Sequence, residues 1–79
     1  MSIIEHPNKI HAAACSNSEM SRQNDVAQAI LAGGGSATVA AAVKAAEVAH
    51  YKRIAASALA NGLESAVFLE AARTVGTHA

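Results

Sequence analysis

The chain has 79 residues, with six basic side chains against six acidic, four histidines, 52% hydrophobic residues and 3% aromatic. That length holds one small domain at most, zero net charge disfavours a general nucleic-acid binder, and the hydrophobic content is too high for a disordered chain. A single cysteine, Cys15, cannot close an internal disulfide, and no four Cys or His residues stand at zinc-ligand spacing, so stapled mini-domains and zinc fingers are excluded.

Met1 to Pro7 lacks a basic region followed by an apolar stretch, so no signal peptide is expected and a cytoplasmic setting is the default. Residues 1–15 carry Pro7 and scattered isoleucines (Ile3, Ile4, Ile10) without a sustained period. They are expected to form an N-terminal arm, ordered by a partner, ahead of a helical domain over residues 16–79. Alanine dominates, with 21 copies, 11 of them between Ala37 and Ala60. It is the strongest helix former and a poor strand former, so the chain reads as all-α: three helices, the middle one long and Ala-rich.

Ser16-Asn17-Ser18-Glu19 matches a capping box, which predicts a first helix starting after Ser16 and running through Val26, Ile30 and Leu31. Gly33-Gly34-Gly35 stops it, because consecutive glycines carry a large backbone entropy cost in a helix. Ser36 is then the expected N-cap of a long helix over 37–60, ended by Asn61-Gly62 with Leu63 as the hydrophobic partner of that cap. A third helix is expected over 64–75, with Asn61 and Glu64 as a second box-like pair and Gly76 closing it. The longest uncharged run, between Asp25 and Lys44, is interrupted by glycines and polar residues and is mostly alanine, so no membrane span is expected.

At about 100° per residue, Val39, Val43, Ala46, His50 and Ile54 share one side of the second helix, while Ala41, Val48, Ala55 and Leu59 share roughly the opposite side. The third helix offers one stripe, with Leu63, Val67, Phe68, Ala71 and Val75. A helix apolar on two sides is sandwiched between neighbours. A single short chain is expected to cover only one of them. Charged residues make up 15% of the chain against a usual ~25%. These patterns point to self-association or incorporation into a larger particle, such as a viral one, with Val39, Val43, Ala46, Ile54, Val48, Ala55, Leu59, Leu63, Val67 and Phe68 at the interfaces.

Four patterns carry chemistry. Glu47-Val-Ala-His50 places a carboxylate and an imidazole on one helix face, and a dimer could assemble two copies each of Glu19, Glu47 and His50 as ligands for iron or manganese. Over Glu47-Val-Ala-His50-Tyr51 the chain resembles the metal-site helices of the ferritin-like superfamily, a likeness of five residues that implies such a centre. Ferritin-like chains normally show the pattern twice, or once on long paired helices, whereas the first helix expected here is short and its Glu19 lies near the capping box. The bland alternative pairs Glu47 with Lys44 and packs His50 between helices. Ala58-Leu-Ala-Asn-Gly62-Leu63, with Phe68 beyond, echoes a helix-turn-helix DNA-binding regulator, but Glu64 and Glu70 against Arg73 set carboxylates towards phosphates. Gly33 to Ser36 precedes a helix N-terminus, but no strand comes before it and no lysine follows as a phosphate loop requires. Cys15 has no Lys or Arg nearby to support a catalytic thiolate, and its expected chemistry is at most an intermolecular disulfide. No nucleophile, base and orienting group appear together, so no enzyme and no cofactor is expected, and the partner expected is protein.

Overall fold

The computed structural model describes residues 7–77. They form three helices, α1 (Pro7–Leu31), α2 (Ser36–Ala60) and α3 (Ala66–Thr77), with no strand among the described residues. The fold is all-α. No helix in it is long and apolar enough to cross a membrane.

Helix α1 begins at Pro7, ten residues before the predicted start, and residues 1–6 of the expected arm lie outside the described residues. Proline suits a first turn, where its missing N–H has no partner to lose, and Ala12–Ala14 carry the helix onward. The predicted capping box is therefore helix interior. Within that segment Ser18 turns to α2, and the box's carboxylate, Glu19, turns to Arg22.

Gly33, at φ 76°, ends α1, and its N–H bonds the Ile30 carbonyl at 3.0 Å. Ser36 is already helical. The residue before α2 is Gly35, whose carbonyl accepts the Val39 N–H at 3.0 Å and which offers no side-chain cap. The far end of α2 is a Schellman motif: Leu63 N–H reaches the Ala58 carbonyl at 2.8 Å, Gly62 N–H reaches the Leu59 carbonyl at 3.2 Å, and Gly62 takes the left-handed φ of 70°. Asn61 and Glu64 do not form the second box. The Asn61 amide donates to the Ser57 carbonyl at 2.7 Å, and Glu64 Oε1 accepts the Ala66 N–H at 2.7 Å, a free donor at the start of α3. Helix α3 runs two residues past Val75, with Gly76 inside it, where a Cβ would meet Val48 Cγ2 at 3.7 Å.

Helices α1 and α3 fold back along opposite sides of α2, each antiparallel to it. One chain thus packs a helix against each predicted side of α2, more cover than the sequence leads one to expect, although Ala41 and Leu59 of the second side stay exposed. The extra turns of α1 account for the difference: a helix starting at Ser16 would fall short of Ser57, whereas His11 reaches it. Ala46, Ile54 and Ala55 are buried inside the chain, Val39, Val43, Val48, Leu63 and Phe68 are half-buried, and Leu59 and Val67 are exposed.

The result is a single layer of helices, with principal extents of 54 × 25 × 10 Å, and 10 Å is the thickness of one helix. The core is correspondingly thin, consisting among the described residues of Ile54 with four alanines, Ala46, Ala55, Ala58 and Ala72. Alanine lets the backbones approach closely but removes little apolar area from water per residue.

Candidate functional site

The inner faces of α1 and α2 meet through two polar stations, each centred on a histidine. In the first, Ser18, only 4% exposed, stands opposite His50 and Arg53, which are one turn apart on α2. Ser18 Oγ lies 2.8 Å from His50 Nδ1 and 3.4 Å from the His50 carbonyl. Arg53 clamps the same residue twice, donating from Nε to Ser18 Oγ at 2.9 Å and from Nη2 to the Ser18 carbonyl at 3.0 Å. On the other side of the ring, His50 Nε2 faces Glu19 Oε2 at 3.4 Å, and Tyr51 leans on it at a centroid distance of 5.6 Å.

One proton arrangement satisfies every group in a chain. Arg53 donates to Ser18, the Ser18 hydroxyl donates to His50 Nδ1, and Nε2–H of His50 points at Glu19. Glu19 is also held by Arg22, whose Nε donates to Oε1 at 2.9 Å and to Oε2 at 3.1 Å. That hydrogen-bonded guanidinium, aided by its charge, holds the Glu19 carboxyl below its usual range against a smaller opposing effect of burial, and Glu19 in turn raises Arg22. Arg73 does the same for Glu70 on the exposed side of α3.

Serine, histidine and glutamate in line have the composition of a nucleophilic triad, but the geometry serves packing. Ser18 Oγ is enclosed between two helices and already engaged by Arg53, so no substrate atom can approach it. No buried side-chain nitrogen or oxygen among the described residues lacks a partner. A network so satisfied fixes helix register, since sliding α1 by one turn would orphan several groups at once.

In the second station, His11 Nδ1 lies 2.9 Å from Ser57 Oγ of α2, and His11 Nε2 lies 3.5 Å from Cys15 Sγ. The Phe68 ring of α3 packs against the same imidazole at 6.0 Å. The residues expected to bind metal are only partly gathered. Glu19 and His50 meet, Glu19 is shared with Arg22, and no group of three or more His, Cys, Asp or Glu among the described residues is placed to hold an ion. The segment resembling a helix-turn-helix is an antiparallel hairpin, α3 lying back along α2.

A third region is a surface. Ala41, Ala45, Ala49, Lys52, Ala56 and Leu59 recur at three- and four-residue spacing along one side of α2, and all but the half-buried Ala49 are exposed. Two adjoining shallow depressions on this side share Val48, Lys52 and Gly76, and Leu69 of α3 extends the surface. Neither α1 nor α3 covers it. No protein family matches the chain, and neither a curated protein nor a solved structure does.

Proposed function

We propose that this protein is a non-enzymatic structural subunit that associates with copies of itself through the open alanine-lined face of α2. The observation that carries the reading is the single-layer shape. A compact domain of 79 residues has a radius of gyration of about 11.6 Å, whereas this chain has 14.8 Å. Its accessible surface of 5377 Å² likewise exceeds the roughly 4,450 Å² of an ordinary 8.0 kDa protein.

The excess is about 900 Å² per chain. An excess of that size is comparable to the ~800 Å² that each partner contributes to a specific interface. The exposed face is chemically suited to that use. Alanines at helical spacing permit close approach of a second helix, Leu59 at 72% exposed and Leu69 at 54% supply apolar anchors, and Lys44 and Lys52 border it on α2.

Light scattering on the eluting protein tests the reading. The wild type is expected to elute as a dimer or larger. Ala45→Glu, which sets a carboxylate on the face, is expected to elute as a monomer with unchanged helical circular dichroism. A wild type that remains a folded monomer at about 1 mM overturns the proposal, since even a 1 mM dissociation constant would pair about half the chains there.

A further inference from the structure

The open face shared by α2 and α3 differs from one end to the other. Towards the C-terminal end of α2 it is bulky, with Leu59 and, on α3, Leu69 exposed. Towards the N-terminal end it is hollow: a depression of about 430 Å³ is lined by the small residues Ala41, Ala45, Ala49 and Gly76. A face that carries both a knob and a hollow is complementary to a second copy of itself turned end for end.

On the strength of the self-association read above, we propose that the second copy docks antiparallel about a two-fold axis level with Lys52. Each copy seats its Leu59 in the partner's hollow at the level of Ala45, and its Leu69 against the partner's Gly76. The midpoint between Ala45 and Leu59 on α2 is Lys52. The second pair gives the same axis independently. Gly76 stands beside Val48, and Leu69 lies seven residues back along the antiparallel α3, about 10 Å towards the C-terminal end of α2. Their midpoint falls about 5 Å past Val48, within one residue of Lys52 at ~1.5 Å per residue. A two-fold contact demands that agreement, because one rotation must satisfy every pair at once.

The parallel arrangement fares worse on packing and on charge. Leu59 would meet its own copy, and the two hollows would face each other unfilled, forfeiting contacts on both sides. It would also set Lys44 against Lys44, a like-charge contact that antiparallel copies separate by about 24 Å along the helices. Lys52 flanks the axis in either arrangement, and its flexible stem carries the ammonium clear of the contact. The surface excess of each chain is the size one partner gives to a specific interface, and a small ligand in the hollow would leave both leucines uncovered.

The test is a distance between two nitroxides in the dimer. Ser36 is exposed in the first turn of α2, so the label is attached through Ser36→Cys in a Cys15→Ser background. Antiparallel copies set the two labelled positions about 48 Å apart, each about 24 Å from the axis at ~1.5 Å per residue. Parallel copies set them roughly 10 Å apart, one interhelix spacing. A short separation in a stable dimer overturns the orientation and leaves self-association standing, whereas a labelled protein that stays monomeric overturns both. A size exchange checks the pairing itself. Ala45→Leu is expected to raise the dissociation constant by about tenfold or more by overfilling the hollow, and Leu59→Ala to raise it by emptying the hollow. Alanine and leucine are both strong helix formers, so helical circular dichroism is expected to stay unchanged. With both changes in one chain, large and small trade places across the contact, and the double variant is expected to associate more tightly than either single one. A double variant weaker than both would overturn the pairing of Leu59 with Ala45.

Discussion

Replacing Ser18 by alanine removes the hydroxyl at the centre of the α1–α2 interface and leaves every carbon in place. The substitution deletes a 2.8 Å bond to His50 Nδ1 and a 2.9 Å bond from Arg53 Nε. Arg53 keeps its hydrogen bond to the residue 18 carbonyl, so the guanidinium retains a partner. His50 Nδ1, in a side chain 13% exposed, is left without a partner. An unsatisfied buried group costs about 1–3 kcal/mol, and the gain in helix propensity from serine to alanine returns about 0.5 kcal/mol. The net expectation is a loss of about 0.5–2.5 kcal/mol, or roughly 2–20 °C in melting temperature for a domain of this size. Urea unfolding followed by far-ultraviolet circular dichroism measures it, at fixed protein concentration because association would add to stability. Adding His50→Leu is expected to cost less than the two single changes summed, since the stranded acceptor is then gone. A Ser18→Ala protein as stable as wild type, or more stable as propensity alone dictates, would refute the idea that this network locks the interface.

Among the described residues Ile54 is the one large side chain in the core, at 6% exposure, and Ile54→Ala is expected to destabilise by about 2–4 kcal/mol in the same urea assay. Leu59→Asp is expected to leave the stability of dilute chains within about 0.5 kcal/mol, because the side chain is 72% exposed, yet to weaken association measured by sedimentation. Glu19 ionises more readily folded than unfolded, so its contribution is full above the ordinary glutamate range and is lost as pH falls through its lowered native value. Wild type is accordingly expected to exceed Glu19→Gln in stability at pH 7, by a margin that closes in acid below about pH 4.5; a margin that persists to pH 2 would contradict it.

The second helix was the most legible element. Its uninterrupted alanine run and glycine boundaries place it within one residue of the observed span, and Asn61-Gly62-Leu63 spells out the Schellman ending. The start of α1 was hidden by a true ambiguity: Ser16-Asn17-Ser18-Glu19 reads as a cap when no partner helix is known, and as an interface once one is. Tertiary bonding outbid the local signal. Ser18, Arg53, His11 and Ser57 escaped notice as a set because their significance depends on register, which no single helix reveals. A signal was nonetheless present. The pairs His11–Ser57 and Ser18–His50 are both symmetric about Gly34, the middle of the glycine turn, so folding the sequence about that residue brings polar inner positions of α1 opposite polar positions of α2. The same fold places His11 and Cys15 one turn apart inside α1, a pairing that reading residues 1–15 as an arm concealed.

Native mass spectrometry of the reduced protein bears most directly on the central claim, because it counts copies and weighs any bound ion in one spectrum. The open single layer predicts a metal-free oligomer that dissociates when Ala45→Glu or Leu59→Asp is introduced. A wild-type chain that flies as a folded monomer at every concentration, or an oligomer indifferent to both substitutions, would contradict it.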